Sequence, residues 1–224
     1  LMTFVAECIA GGVDVVQLRD KRLEAKAAIE RGSALRRTCA DLGVPFIFND
    51  RPDLALEVGA DGVHVGQDDV PPALARRILG DDAIIGLSTH STTDLIASLD
   101  EPVDYVSGGP VTPTPTKPGR AAVGLGYIRY ASAHAGRPVW VTGGASPATV
   151  AAMVGAGARH VVVVRWLTEA SDPRDAARQV RQAIDRAIEE ADITDAADPL
   201  RAEPSRTEPT GRTPPGPRAE PTPG

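Results

Sequence analysis

The chain has 224 residues, enough for one large domain and within the size range of single α/β barrels. With 24 Lys and Arg against 30 Asp and Glu, its net charge of −6 speaks against a general binder of nucleic acid or anionic membrane and leaves small molecules as the expected partners. Cys8 and Cys39 show no CxxC spacing and no histidine cluster accompanies them, so neither a disulfide framework nor a zinc site is expected. No apolar run reaches the roughly 20 residues needed to cross a bilayer, and the expected compartment is the cytoplasm.

The chain opens in a helical pattern, with Phe4, Val5, Cys8 and Ile9 on one face before Gly11-Gly12. Short apolar, β-branched runs follow at residues 13–18, 46–48, 62–65, 83–87, 104–106, 139–142 and 161–164, the pattern of buried parallel strands. Amphipathic segments lie between or after them, at 23–42, 72–79, 92–99, 125–134, 147–155 and 173–191. Gly11-Gly12, Gly59 and Gly155 each close a helix and feed a strand. Strict alternation of strand and helix points to a βα-repeat fold. No GxGxxG follows the first strand, which favours a TIM (βα)8 barrel over an open nucleotide-binding sheet. Seven strands are visible rather than eight, and the one missing belongs ahead of the first helix. Such a barrel keeps exposed sheet edges and is compatible with an oligomer. The expected catalytic domain covers 1–194. Residues 195–224 form a tail whose Pro, Arg, Glu, Thr and Gly from 201 onward include no large apolar side chain, so it is expected to be disordered.

Barrel enzymes place their chemistry at the C-terminal ends of strands, and polar residues gather there on nearly every strand. The first strand ends Gln17-Leu18-Arg19-Asp20-Lys21, where alternation puts Gln17, Arg19 and Lys21 on one face. An arginine fork, a compact ammonium and an amide suit a pyrophosphate; a surface salt-bridge cluster is the plainer alternative. The next two strands end in Asn49-Asp50 and in Gly66-Gln67-Asp68-Asp69. Asp50 and Asp69 are candidate Mg²⁺ ligands, since this ion takes one or two carboxylates together with waters and substrate phosphates. Acid–base work, or capping by Asp50 of a helix near Pro52, would use the same groups. His64 reads as a satisfied core imidazole. Ser88 adds a hydroxyl at the following strand end.

The segment from Gly109 to Arg120 concentrates threonine, proline and glycine around Lys117, one of only three lysines in the chain. Proline and glycine hold such a loop out of helix and strand, so that Thr114, Thr116 and Lys117 can face an anion; a proline-rich docking segment is the alternative. The last two strands end in Thr142-Gly143-Gly144 and Val164-Arg165, the place where barrels frequently bind a phosphate.

Together these motifs resemble the thiamine-phosphate synthase family over residues 4–191: Gln17-Leu18-Arg19-Asp20-Lys21, Asn49-Asp50, His64-Val65-Gly66-Gln67-Asp68-Asp69, Gly86-Leu87-Ser88, Gly109-Pro110, Thr114-Pro115-Thr116-Lys117 and Gly143-Gly144. The resemblance implies a transferase that joins hydroxymethylpyrimidine diphosphate to hydroxyethylthiazole phosphate, releasing pyrophosphate. It implies that Gln17, Leu18, Arg19, Asp20, Lys21, Asn49, Ser88 and Lys117 hold the pyrimidine diphosphate. Thr114, Pro115, Thr116, Gly144, Val164 and Arg165 would hold the thiazole phosphate, and Asp50 and Asp69 a Mg²⁺ ion. Lys117, Arg19 and Lys21 would act on the leaving group. Arg165 stands where many relatives carry serine, and Ala145-Ser146 where an isoleucine commonly follows the glycine pair. The alternatives are a thiazole tautomerase or regulator-like paralogue, which needs no diphosphate site, and a non-catalytic phosphate-binding barrel.

Overall fold

The structure is a computed structural model that describes residues 1–113, 119 and 121–197. Seven strands, β1 (Val16–Leu18), β2 (Phe46–Asn49), β3 (Gly62–Val65), β4 (Ile84–Thr89), β5 (Tyr105–Gly108), β6 (Val139–Val141) and β7 (His160–Val161), form one curled, wholly parallel sheet in sequence order. Helices separate them: α1 (Met2–Ala10), α2 (Ala25–Asp41), α3 (Pro52–Val58), α4 (Pro72–Leu79), α5 (Thr92–Ser98), α6 (Gly124–His134), α7 (Val150–Gly155), α8 (Arg165–Thr168) and α9 (Pro173–Ala197). This is the expected barrel architecture with seven strands, and among the described residues no pairing joins β7 to β1. The expected domain boundary at 194 falls inside α9, and the expected tail beyond 197 lies outside the described residues.

Local chemistry explains most of the boundaries. Proline occupies the first helical turn of α3 and α4, where its missing N–H costs nothing. Ser91 caps α5 by accepting from Asp94 N at 3.1 Å, and Asp94 reciprocates by accepting from His90 N at 2.8 Å. Gly59 ends α3 in the left-handed conformation, φ 66°. The edge strands are shorter than their β-branched runs. β1 starts at Val16 rather than 13, and β7 stops at Val161 rather than 164, because each has a neighbour on one side only.

The core lies between sheet and helices. Phe46, Leu35, Val63, Ile85, Val106, Ile128 and Val141 are at most 2% exposed, each contributing about 1.5–3 kcal/mol by leaving water. Where sheet pairing ends, helices meet. Gly11, just past α1, would clash through any Cβ with Arg174 O at 2.3 Å in α9, and Arg174 pairs with Glu7 at 2.7 Å. Arg181 of α9 donates to Gly12 O and pairs with Asp14.

Arginines brace the end of the sheet where strands begin. Arg76 donates to Ala83 O at 2.6 Å and to Asp104 at 2.8 Å, while Asp104 accepts from Ile85 N at 2.7 Å and Asp61 from Phe46 N at 2.7 Å. Arg137 donates to Leu99 O and Val103 O, each at 2.8 Å. Much of the arginine content is therefore structural, which leaves the opposite end free for chemistry.

Candidate active site at the carboxyl ends of the strands

On β1, Leu18 turns to the helices and packs on the core, while Gln17 points the other way and is exposed. Arg19 follows on the same side, also exposed. Lys21 swings over the ends of β2 and β3, where its Nζ lies 2.6 Å from Asp50 Oδ2 and 3.8 Å from Asp69 Oδ1. Asp69 is held by accepting from Gly66 N at 2.9 Å. The structure thus brings together three residues that sequence reading took from three separate strand ends. Beside them a cavity of about 220 Å³ is lined by Leu18, Asp20, Lys21, Asn49 and Asp50 among others.

Asp50 has φ +64°, and among the described residues it alone takes a positive φ without being glycine. Aspartate tolerates this region better than bulkier residues, yet the conformation still costs energy and is found where geometry serves a site. It directs the carboxylate to Lys21. The capping alternative fails: Arg51, not Asp50, precedes α3, and no side chain caps it. Burial pushes the Asp50 carboxyl above its usual range, the hydrogen bond from Lys21 works against that, and the Asp69 carboxylate adds to it.

Other assignments separate. Asp20 accepts from Arg22 N at 3.0 Å and lies 3.4 Å from Arg31 of α2, so its carboxylate anchors the loop to a helix. Asn49 is buried at the end of β2. Across the mouth, Gly143 and Gly144 have φ of 95° and 82°, and a Cβ on Gly144 would meet Thr112 Oγ1 at 2.3 Å. Thr149 Oγ1 donates to Gly144 O at 2.7 Å. Val164 and Arg165, exposed after β7, start α8, with Arg165 4.0 Å from Glu169. Thr114, Pro115, Thr116 and Lys117 lie outside the described residues. The chain leaves β5 at Gly109, whose carbonyl lies 2.5 Å from His90 Nδ1, and Val111 N donates to Thr142 O at 2.8 Å.

Sequence reading missed the row of rings along the inner face of the sheet. Strand register turns His64, Tyr105, Trp140 and His160 inward, and their rings follow one another with centroids 5.5, 5.5 and 5.1 Å apart. His64 is 7% exposed and satisfied, as expected, with Nδ1 3.0 Å from the Tyr105 hydroxyl and Nε2 2.9 Å from Ser88 Oγ. Gln67 also emerges here, donating to Ser88 O at 2.7 Å. The available signal was alternation, which makes every second residue of a barrel strand an interior one.

Known proteins similar in sequence to this chain belong to one family. The family described as thiamine monophosphate synthase matches residues 1–167. The chain is 46% identical over 177 residues to the thiamine-phosphate synthase of Thermus thermophilus, covering 79% of this chain and 85% of that one. It is 46% identical over 181 residues to that of Acidothermus cellulolyticus, covering 80% and 85%. Among solved structures, thiamine phosphate pyrophosphorylase from Pyrococcus furiosus superposes with a TM-score of 0.78 at 28% identity, covering 84% of this chain and 90% of that one.

Proposed function

The chain belongs to the thiamine monophosphate synthase family, and from that premise we propose that it joins hydroxymethylpyrimidine diphosphate to hydroxyethylthiazole phosphate, giving thiamine phosphate and pyrophosphate. The observation that carries this reading is the Lys21 ammonium between Asp50 and Asp69 at the ends of three adjacent strands. It is a compact set of a cation and carboxylates of the kind a diphosphate with its metal requires.

In the reaction the methylene carbon–oxygen bond breaks and the pyrophosphate keeps the electron pair. The thiazole nitrogen then supplies its lone pair to the same carbon, and no proton moves. The protein's work is to stabilise charge on a departing anion. Arg19, Lys21 and Lys117 supply cations, while Ser88 and Asn49 supply neutral donors. Gly144 and Arg165 hold the thiazole phosphate together with the loop of Thr114 and Thr116. The reading places the enzyme in the cytoplasm with small phosphorylated substrates as its partners.

Asp50 and Asp69 fit a Mg²⁺ ion: both are oxygen donors, both face one point, and an ammonium already sits between them. When bound, the ion neutralises charge that develops on the pyrophosphate. The test is to give the purified chain each substrate singly and both together, with Mg²⁺ or chelator. Thiamine phosphate and equimolar pyrophosphate are expected only from both substrates with metal, and none from folded protein would reject the reading.

A further inference from the structure

Beneath Ser88 lies a buried polar relay that the charged mouth does not explain. The Tyr105 hydroxyl lies 3.0 Å from His64 Nδ1, and His64 Nε2 lies 2.9 Å from Ser88 Oγ. Ser107 Oγ is 3.4 Å from both Nε2 and Ser88 Oγ. Gly86 on β4 leaves the room for this arrangement, since a Cβ there would meet Tyr105 Cζ at 2.1 Å and His64 Nδ1 at 2.5 Å. His64, Ser88 and Ser107 are 7%, 4% and 4% exposed, and Tyr105 is 9% exposed.

From this geometry we infer that Tyr105 and His64 are positioning residues that set the direction of the Ser88 hydroxyl, fixing it as a hydrogen-bond donor to the substrate's diphosphate side. The reasoning is a count of protons. Burial drives the phenol's ionisation upward, so Tyr105 keeps its proton. Among the described residues its hydroxyl meets one hydrogen-bonding partner, His64 Nδ1. If Nδ1 carried a proton, the phenol would have to accept, and its own buried proton would be left without an acceptor at a cost of about 1–3 kcal/mol. The phenol therefore donates, Nδ1 accepts, and the ring proton sits on Nε2. Nε2–H then donates to Ser88 Oγ, so the serine proton cannot point back at the ring. Among the described residues the other hydroxyl near Ser88 Oγ is Ser107 Oγ, which at 3.4 Å is too far for a good O–H···O bond. A phosphate oxygen at ordinary distance outcompetes it.

The inference rests on the proposed reaction for its consequence but not for its geometry, and two measurements separate them. Long-range ¹H–¹⁵N correlation spectra of histidine-labelled protein, with His64 assigned among four histidines by loss of its signals in His64→Gln, should show the Nε2–H tautomer without any substrate. An Nδ1–H tautomer or an imidazolium overturns the relay, whatever reaction the enzyme performs. The second measurement is a set of double-mutant cycles on product formation. His64→Leu should lower kcat about tenfold with little change in the KM of thiazole phosphate, and His64→Gln, which keeps a donor near the Nε2 position, should recover most of that loss. Tyr105→Phe removes one hydroxyl and keeps the ring, so it remains informative if His64→Leu fails to fold; it should lower kcat by a smaller factor. In a Ser88→Ala background neither change should reduce kcat further. Losses that multiply in that background would mean that His64 and Tyr105 act on packing rather than through Ser88, and would overturn the inference.

Discussion

On the β1–β3 side of the mouth, charge is dense and already compensated: Lys21 is 2.6 Å from Asp50, and Arg19, exposed, follows β1. On the β6–β7 side the polar groups are backbone, set by the left-handed glycines 143 and 144 and pinned by Thr149, with Arg165 at the rim. The contrast teaches what each side can do. A pyrophosphate that gains negative charge as a bond breaks needs cations able to follow it. A phosphate that takes no part in the bond change needs only fixed dipoles at a fixed distance. The first side suits the leaving group and the second the spectator.

Substitutions on the two sides should therefore differ in kind. The largest effect is expected at Lys117: Lys117→Ala should lower kcat about a hundredfold or more while the KM of thiazole phosphate barely moves, as for a lost transition-state donor. A large rise in that KM with turnover preserved would place Lys117 on the wrong side. Arg19→Gln should raise the KM of the pyrimidine diphosphate about tenfold to a hundredfold, the worth of a charge-assisted hydrogen bond. Steady-state kinetics with each substrate varied will show whether the thiazole side is left alone. Gly144→Ala should do the reverse, raising the thiazole-phosphate KM several-fold and lowering the melting temperature, because it adds a methyl 2.3 Å from Thr112 Oγ1 at φ +82°.

The smallest change tests the carboxylates. Asp50→Asn should shift the Mg²⁺ titration of activity to higher concentration while leaving the melting temperature equal or slightly raised. The substitution removes a carboxylate whose ionised form is disfavoured by burial, and asparagine tolerates φ +64°. An unchanged titration would take Asp50 out of the metal site.

All seven strands were legible as short apolar runs, because the face of each strand turned to the helices carries apolar side chains. The strand ends were less legible at the edges. Val13 and Val163 look like strand, but a ladder extends only as far as its neighbour, and β1 and β7 have one neighbour each. α8 has four residues, too few for a helical period to show. In the site, Lys21, Asp50 and Asp69 could be found because chemistry in a barrel collects at strand ends. Asp20 could not be sorted from them, since its partner Arg31 is 11 residues away on a helix. The His64, Tyr105, Trp140 and His160 row was hidden for another reason: it exists only once the register of five strands aligns residues scattered along the chain.

A crystal structure of the chain with pyrophosphate and Mg²⁺ would test the division of the mouth most directly. The account predicts pyrophosphate against Arg19, Lys21 and Ser88, with Asp50 and Asp69 on the metal and Lys21 turned from the carboxylates to the anion. Pyrophosphate seated instead on Gly143 and Gly144, with Lys21 still bridging Asp50 and Asp69, would contradict it.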